Sequence, residues 1–183
     1  MNKKSILQYL AALAVCFLIG CCGALLLSWI DAQPIRALEG GQTLALTGFS
    51  IRVPEDYVVE DLTSVNHEEG GNALYCASLR NAQDTLLVYC YRNETGDSLA
   101  GYDEQALVTH YMRQGATQVR TRTLGGRRFI CYRASVETMN GTQEWDAYET
   151  WDETLQIAFE TQMAPARALS ILATIQFDPS PTP

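Results

Sequence analysis

A glutamate placed between tryptophans is the pattern in this sequence with the clearest chemical potential. Trp145, Ala147, Glu149 and Trp151 alternate along one segment, and residues two apart on a β-strand point to the same face. A carboxyl group beside tryptophan rings could hold a sugar, and it could act as the acid in glycoside hydrolysis. The alternative is that this face is exposed and that Glu149 pairs with an arginine on the neighbouring strand, such as Arg133.

The two histidines indicate no site. His67 is followed by two glutamates, but Gly-Gly-Asn comes next, a composition typical of a solvated loop, and zinc requires three or four ligands at suitable spacing. His110 could form a thiol–imidazole couple with a strand cysteine such as Cys131, or it could be an ordinary helix residue. Nucleotide-binding glycine patterns and the serine-hydrolase elbow are absent from the sequence. We therefore expect neither a metal nor a cofactor.

Tyrosine and arginine residues on the predicted strands suggest a binding surface. Tyr75, Tyr89 and Tyr91 are expected on one face of a hairpin, and Arg120 and Arg122 share a face of a later strand. These two residue types dominate the binding energy of protein interfaces. The alternative is that these residues lie on a sheet face that is partly exposed to solvent and binds no partner.

Alternating apolar residues and turn residues predict that most of the chain forms β-strands. Two segments instead have helical spacing: Asp103–Arg113, with Asp103 as the cap and Gly115 after its end, and Ala164–Ile175. The Gly125-Gly126 and Asn140-Gly141 pairs predict hairpin turns, so the sheet should be antiparallel. The sequence therefore predicts an α+β domain with a central antiparallel sheet packed by two helices. The predicted strands are Phe49–Val53, Leu74–Leu79, Leu86–Arg92, Thr117–Leu124, Arg127–Glu137, Glu144–Trp151 and Leu155–Thr161.

Three cysteines lie beyond the N-terminal segment, and an odd number cannot all pair within one chain. Cys76 and Cys90 fall opposite each other if the first hairpin turns around Asn81–Thr85, which would allow one disulfide. The alternative is that Cys76, Cys90 and Cys131 are all reduced, partly buried strand residues.

The first thirty residues predict a membrane anchor. Lys3 and Lys4 precede a nearly unbroken apolar run, residues 6–30, and Asp31 follows it. At about 1.5 Å per residue a helix of this length reaches roughly 37 Å, which is enough to cross a bilayer. The lysines favour a cytoplasmic N-terminus and an extracytoplasmic domain. The sequence thus predicts a single-pass protein of the cell membrane.

Two other interpretations of this segment stay open. A cleaved signal peptide usually has a shorter apolar core that ends in small residues. A bacterial lipoprotein signal is the second, because Leu18-Ile19-Gly20-Cys21 resembles the lipobox, in which the cysteine is lipidated. Lipidation of Cys21 is therefore a candidate modification.

The charge balance excludes one class of partner. The net charge is −8 at pH 7, and both lysines precede the apolar run, so the rest of the chain is more acidic still. Bulk charge of this sign does not favour nucleic acid or an anionic membrane surface. Proline, glycine and charged residues suggest a stalk over residues 31–43, the domain is expected over 44–177, and the proline-rich residues 178–183 suggest a disordered tail.

The order of elements resembles that of PsbP-like domains. The segment Gly48–Tyr57, GFSIRVPEDY, is similar to their GFSxxVPxxW opening, with Tyr57 where tryptophan is usual. The later glycine turn, the hairpins and the final Ile171–Phe177, ILATIQF, are similar to their ILxSIxF ending. The resemblance covers residues 48–177 and implies an antiparallel sheet packed by helices. PsbP-like members are mostly binding and accessory modules, among them an extrinsic lumenal subunit of photosystem II, but we infer no photosynthetic role here.

Together these patterns predict a membrane-tethered extracytoplasmic binding or accessory module with no evident catalytic site. Residues 6–30 would contact the membrane, and another envelope protein is the expected partner. The alternative is an extracytoplasmic enzyme, similar to a glycan hydrolase, that uses Glu149.

Overall fold

The computed structural model describes residues 35–138 and 141–178. The predicted anchor, including Cys21, lies outside the described residues, as does the tail beyond Asp178. None of the helices in the described ranges has the length and apolar character needed to cross a membrane.

The described residues form two antiparallel sheets. The smaller sheet has the order β1-β2-β10, with β2 in the centre. The larger sheet has the order β3-β4-β5-β9-β8-β7-β6, so that β9 returns to the middle between β5 and β8. The strands are β1 (Gln42–Leu46), β2 (Phe49–Val53), β3 (Val58–Asp61), β4 (Tyr75–Arg80), β5 (Thr85–Arg92), β6 (Thr117–Leu124), β7 (Arg127–Thr138), β8 (Gly141–Trp151), β9 (Leu155–Thr161) and β10 (Gln176–Phe177).

Three α-helices and a 3₁₀ turn complete the described part of the chain. They are α1 (Thr63–Glu68), the turn Leu99–Gly101, α2 (Glu104–Arg113) and α3 (Pro165–Leu172). Asp103 caps α2, because its Oδ1 accepts a 2.9 Å hydrogen bond from the backbone N–H of Ala106. After the end of α2, Gly115 adopts a φ of +92°, which glycine accepts without strain.

The main core lies between the two sheets. We call the side of the larger sheet that meets the smaller one the core face, and Phe129, Phe159 and Cys90 point to it. The ring of Phe49, on β2, meets that of Phe159 edge-on at 5.7 Å. Burial of one such side chain stabilises the fold by about 1.5–3 kcal/mol, so contacts of this kind hold the sheets together.

The opposite side of the larger sheet is only partly covered, and we call it the site face. Tyr89, Tyr91 and Glu149 point to it by the period-2 alternation of their strands. The helix α2 and the 3₁₀ turn cover one end through a cluster that contains Leu99, Leu107 and Ile130. On the same face Tyr89, Tyr91 and Glu149 stay partly exposed and can form a site.

The α+β prediction is confirmed, and six of the seven predicted strands and the Asp103 cap match the structure within two residues. The prediction of one central sheet with two helices is incomplete, because the described residues contain two sheets and three helices. The sequence analysis missed β1, β3, β10 and α1. β1 begins at Gln42, inside the segment interpreted as a stalk, and Leu38 of that segment donates a 2.9 Å hydrogen bond to the Ser170 carbonyl.

Candidate functional site

Glu149 is the centre of a polar cluster on the site face. As the alternation predicts, Trp145, Ala147, Glu149 and Trp151 lie on one side of β8. The hydroxyl of Tyr111, on α2, donates a 3.0 Å hydrogen bond to Oε2 of Glu149. The hydroxyl of Tyr132, on β7, donates to Oε1. Both carboxylate oxygens are therefore engaged by tyrosines from different elements.

Arg133 does not pair with Glu149, so that alternative is wrong. Its Nε lies 2.8 Å from Oδ1 of Asp146, which is directly opposite it on β8. Positions 146 and 149 differ by an odd number, so their side chains leave the strand on opposite faces. The only hydrogen-bond partners of Glu149 in the described part of the chain are two tyrosine hydroxyls and the amide of Gln156, at 3.4 Å.

The two tyrosines remain protonated donors over a wide pH range. Burial raises the pKa of Tyr111, and the charge of Glu149 and the hydrogen bond to it raise that pKa further. The same three causes, in the same order, contribute most to the raised pKa of Tyr132, and the neighbouring Tyr111 and Glu160 raise it further. The phenol groups therefore hold the Glu149 carboxylate without supplying a compensating charge.

A second carboxylate, Glu160, lies close by and was missed in the sequence analysis. It is directly opposite Ala147, one step diagonally from Glu149 on the site face. Burial raises the pKa of Glu160, and the neighbouring charge of Glu149 raises it further. A sequence signal for Glu160 was present in β9: Gln156 and Glu160 are four positions apart, and residues an even number apart lie on one face of a strand.

An open cleft of about 840 Å³ lies beside this cluster, and we call it the aromatic cleft. Its aromatic lining consists of Tyr91, Tyr102, Tyr111 and Trp151. Gln156, which also lines it, is directly opposite Tyr91 on one side and Trp151 on the other. Three neighbouring strands therefore supply one continuous row of side chains to the cleft.

The rings that line the cleft are fixed by contacts with each other and with rings behind them. Tyr102 and Trp151 meet edge-on, with centroids 5.8 Å apart and planes at 73°. Tyr91 stacks on Tyr89 at 6.2 Å, and Tyr111 packs against Tyr132 at 4.9 Å. These contacts limit the movement of the rings and so fix the shape of the cleft.

The loop after β5 brings a further carboxylate to the cleft. Asp97 accepts a hydrogen bond from the hydroxyl of Tyr102, and its Oδ1 accepts a 2.7 Å bond from Oγ1 of Thr95. The Tyr102 hydrogen bond is the main reason why the pKa of Asp97 is lowered. Asp97 therefore stays ionised, and Tyr102 is the second tyrosine of the cleft whose hydroxyl donates to a carboxylate.

The five residues predicted as possible partner-binding residues are divided between the two faces of the larger sheet. Tyr89 and Tyr91 lie on the site face, but Tyr75 is directly opposite Cys90 and therefore lies on the core face. Arg120 and Arg122 lie opposite Cys131 and Phe129, also on the core face. The expectation that Tyr75 shares a face with the other two tyrosines is therefore wrong.

The predicted cysteine chemistry is not supported by the register. Cys76 is directly opposite Tyr89, and Cys90 is opposite Tyr75, so the two thiols lie on different faces and do not form a disulfide. His110 is exposed on α2, which packs on the site face, whereas Cys131 points to the core face. The proposed thiol–imidazole couple is therefore excluded by geometry.

The first histidine has a structural contact. His67 lies in α1 rather than in a loop, and its Nε2 forms a 2.7 Å hydrogen bond with the carbonyl of Ala73. Across the described ranges there is no group of three or more His, Cys, Asp or Glu side chains arranged to hold a metal ion.

Comparison with known proteins identifies the fold. No family model and no curated protein matches the sequence. The solution structure of cyanobacterial PsbP (CyanoP) from Synechocystis is similar, with a TM-score of 0.53 and 11% identity over 81% of this chain and 99% of that protein. The fold is PsbP-like. The predicted resemblance is thus confirmed at the level of the fold.

A second solved structure, from Bacteroides thetaiotaomicron, has the same level of similarity to this PsbP-like fold. Its TM-score is 0.53 and its identity 9%, over 77% of this chain and 50% of that protein. The chain therefore spans about half the length of the Bacteroides protein. At such identities the likeness concerns the fold, and function has to be argued from the site itself.

Proposed function

We propose that this protein is an extracytoplasmic binding module, tethered to the membrane by residues 6–30, that binds another envelope component through the aromatic cleft. The observation that carries the proposal is the cleft itself, an open space of about 840 Å³ lined by three tyrosines and a tryptophan. A volume of this size lies within the range of ligand pockets, and the lining combines the four rings with polar and charged side chains that could orient a ligand.

The hydrogen bonding of Glu149 favours binding over acid catalysis. A general acid has to bring its proton within hydrogen-bond reach of the substrate. In this site both oxygens of Glu149 already accept hydroxyl protons, from Tyr111 and Tyr132. The carboxylate is thereby held as an acceptor that positions the two rings.

A crosslinking experiment in native membranes tests the proposal. Tyr91 and Tyr75 belong to one hairpin, but Tyr91 lines the cleft and Tyr75 points to the core face. The full-length protein should yield a reproducible crosslinked partner by mass spectrometry that Tyr91→Ala removes and Tyr75→Ala retains. A chain with only residues 1–43 serves as background. The proposal fails if Tyr91→Ala leaves every crosslink in place.

A hydrolase remains the second candidate, because Glu149 and Glu160 lie on adjacent strands of the same face. Two carboxylates flanking the scissile bond are the usual machinery of glycoside hydrolysis. Turnover of any glycan in a hydrolysis panel, abolished in both Glu149→Gln and Glu160→Gln, would support this candidate. Absence of turnover in the wild-type protein removes it.

The tether has its own test. We propose that residues 6–30 form an uncleaved helix, because Lys3 and Lys4 precede the apolar run and Asp31 follows it. Incorporation of radiolabelled palmitate that is lost in Cys21→Ala would instead establish a lipoprotein. An unlabelled protein that keeps residues 1–30 in its membrane-extracted form supports the helix.

A further inference from the structure

Asp97 lines the aromatic cleft, and Glu149 lies behind the lining residues Tyr111 and Gln156, so each carboxylate is joined to the cleft by a tyrosine. Glu149 accepts from Tyr111, and Asp97 accepts from Tyr102. The described hydrogen-bond partners of both carboxylates are uncharged groups. The cleft is therefore bordered by two negative charges that no described side chain neutralises.

These hydrogen bonds change the electronic character of the rings. A phenol that donates its proton to a carboxylate gains electron density in its ring, and the face of an electron-rich ring attracts cations more strongly. Trp151, the ring type with the strongest cation–π interaction, stands edge-on to Tyr102. The cleft thus combines two activated tyrosines with a tryptophan.

Among the residues that line the cleft, all of which are described, Arg92 is the only cation. The Arg92 side chain is exposed. Arg92 is directly opposite Leu155 and leaves β5 on the core face, whereas its neighbour Tyr91 points to the site face. The lining also contains exposed Glu94. The balance of charge around the rings is therefore negative and complementary to a cationic ligand.

The hydrogen bonds that the two carboxylates already accept determine which kind of cation the cleft favours. A primary ammonium has three N–H donors that require acceptors. Glu149 accepts hydrogen bonds from two tyrosines and a glutamine, and Asp97 from a tyrosine and a threonine, so each carboxylate has at most two of its about four acceptor positions left for an ammonium group. A quaternary ammonium needs no hydrogen bonds and is held by ring faces and by long-range charge.

We infer that the aromatic cleft binds a quaternary ammonium group between Tyr91, Tyr102, Tyr111 and Trp151. This inference rests on the proposed function of the cleft as a binding site and names the chemical class of its ligand. The negative charges of Glu149 and Asp97 compensate the charge of the ligand through the two tyrosines.

Calorimetric titration of the full-length protein with choline, in an uncharged polyoxyethylene detergent, tests the inference. The matched ligand is 3,3-dimethylbutan-1-ol, which has the shape of choline but carbon in place of the charged nitrogen. Glycerophosphocholine represents a lipid headgroup, and cellohexaose represents a neutral glycan. Choline should bind with a dissociation constant below about 1 mM, and the neutral isostere about tenfold or more weakly.

Three variants distinguish the contributions of the rings and of the charge to binding from effects on folding. Tyr102 is 41% exposed, so Tyr102→Ala should keep the fold and weaken choline binding about threefold to thirtyfold. Asp97→Asn should weaken binding while the ring stays in place. Trp145→Ala removes an aromatic residue of the same face that does not line the cleft, and its affinity should match that of the wild type.

Each result has a defined meaning. Binding of choline alone indicates a free cation as ligand, and binding of glycerophosphocholine as well indicates a headgroup. Equal binding of the neutral isostere, or binding of cellohexaose without choline, overturns the inference. If choline does not bind but the Tyr91-dependent crosslink persists, the inference is overturned and the proposed binding function stands. If choline does not bind and no Tyr91-dependent crosslink is found, both the inference and the proposed binding function are overturned.

Discussion

The hydroxyl of Tyr111 lies 3.0 Å from Oε2 of Glu149 and joins the helix α2 to the central strands of the larger sheet. The same tyrosine lines the aromatic cleft. This contact therefore links the packing of α2 on the sheet to the shape of the cleft, because Tyr111 takes part in both.

The Tyr111–Glu149 contact should contribute measurably to stability. Tyr111→Phe removes the hydroxyl and leaves one half-buried carboxylate oxygen short of a donor, so we expect the free energy of unfolding in urea to fall by about 1–3 kcal/mol. In a double-mutant cycle with Glu149→Gln, the two losses should be less than additive. Strict additivity would show that the contact contributes nothing.

Glu160 should make the protein less stable as pH rises. Burial, reinforced by the charge of Glu149, raises its pKa above 4.5. Between the unfolded and the folded pKa the native state binds more protons than the unfolded chain, so the free energy of unfolding falls as pH increases through that window. Glu160→Gln should remove this slope and stabilise the protein at pH 7.

Urea unfolding between pH 4 and pH 7 measures this dependence. Glu153→Gln, an exposed carboxylate in the turn between β8 and β9, is the control and should retain the slope. Removal of the Glu149 charge by Glu149→Gln should bring the pKa of Glu160 closer to its ordinary value in a carboxyl NMR titration. A slope unchanged in Glu160→Gln would contradict the prediction.

Local signals in the sequence were sufficient for most of the hairpins and for α2. Strands β6 and β9 have the predicted bounds, and the Gly125-Gly126 turn lies where glycine is required: Gly125 has a φ of +55°, and an added Cβ would lie 2.3 Å from the Ile175 carbonyl oxygen. Strand β3 was missed because its sequence, VVED, has two adjacent valines followed by two acidic residues, so no alternation of apolar and polar residues marks it; all four residues are exposed.

The candidate site was harder to predict because it depends on register and on distant segments. The first hairpin pairs Arg80 with Thr85, which sets Cys76 opposite Tyr89. A turn one residue longer would have placed Cys76 opposite Cys90, and such a slip reverses the face of every side chain. Asp97 and Tyr102 reach the cleft from a loop whose position no periodic pattern specifies.

The three described cysteines should be unreactive in the folded protein. Burial raises the pKa of Cys90 and of Cys131 to about 12, and it raises that of Cys76 as well. Since the thiolate is the reactive form, iodoacetamide at pH 8 should modify them slowly in the native state and completely in guanidinium. Peptide mapping separates them from the N-terminal cysteines, and a non-reducing digest that contains a Cys76–Cys90 crosslink would contradict the register.

The cap of α2 should support the cleft from a distance. Asp103→Ala removes the acceptor for the Ala106 N–H, which should lower the free energy of unfolding by about 1 kcal/mol. Because α2 carries Tyr111, fraying of its first turns should loosen one wall of the cleft and weaken choline binding more than the loss of a distant surface charge. Asp103→Asn, which keeps a capping oxygen, should restore most of both properties. Equal stability of Asp103→Ala and wild type in urea would show that packing on the sheet alone holds α2 in place.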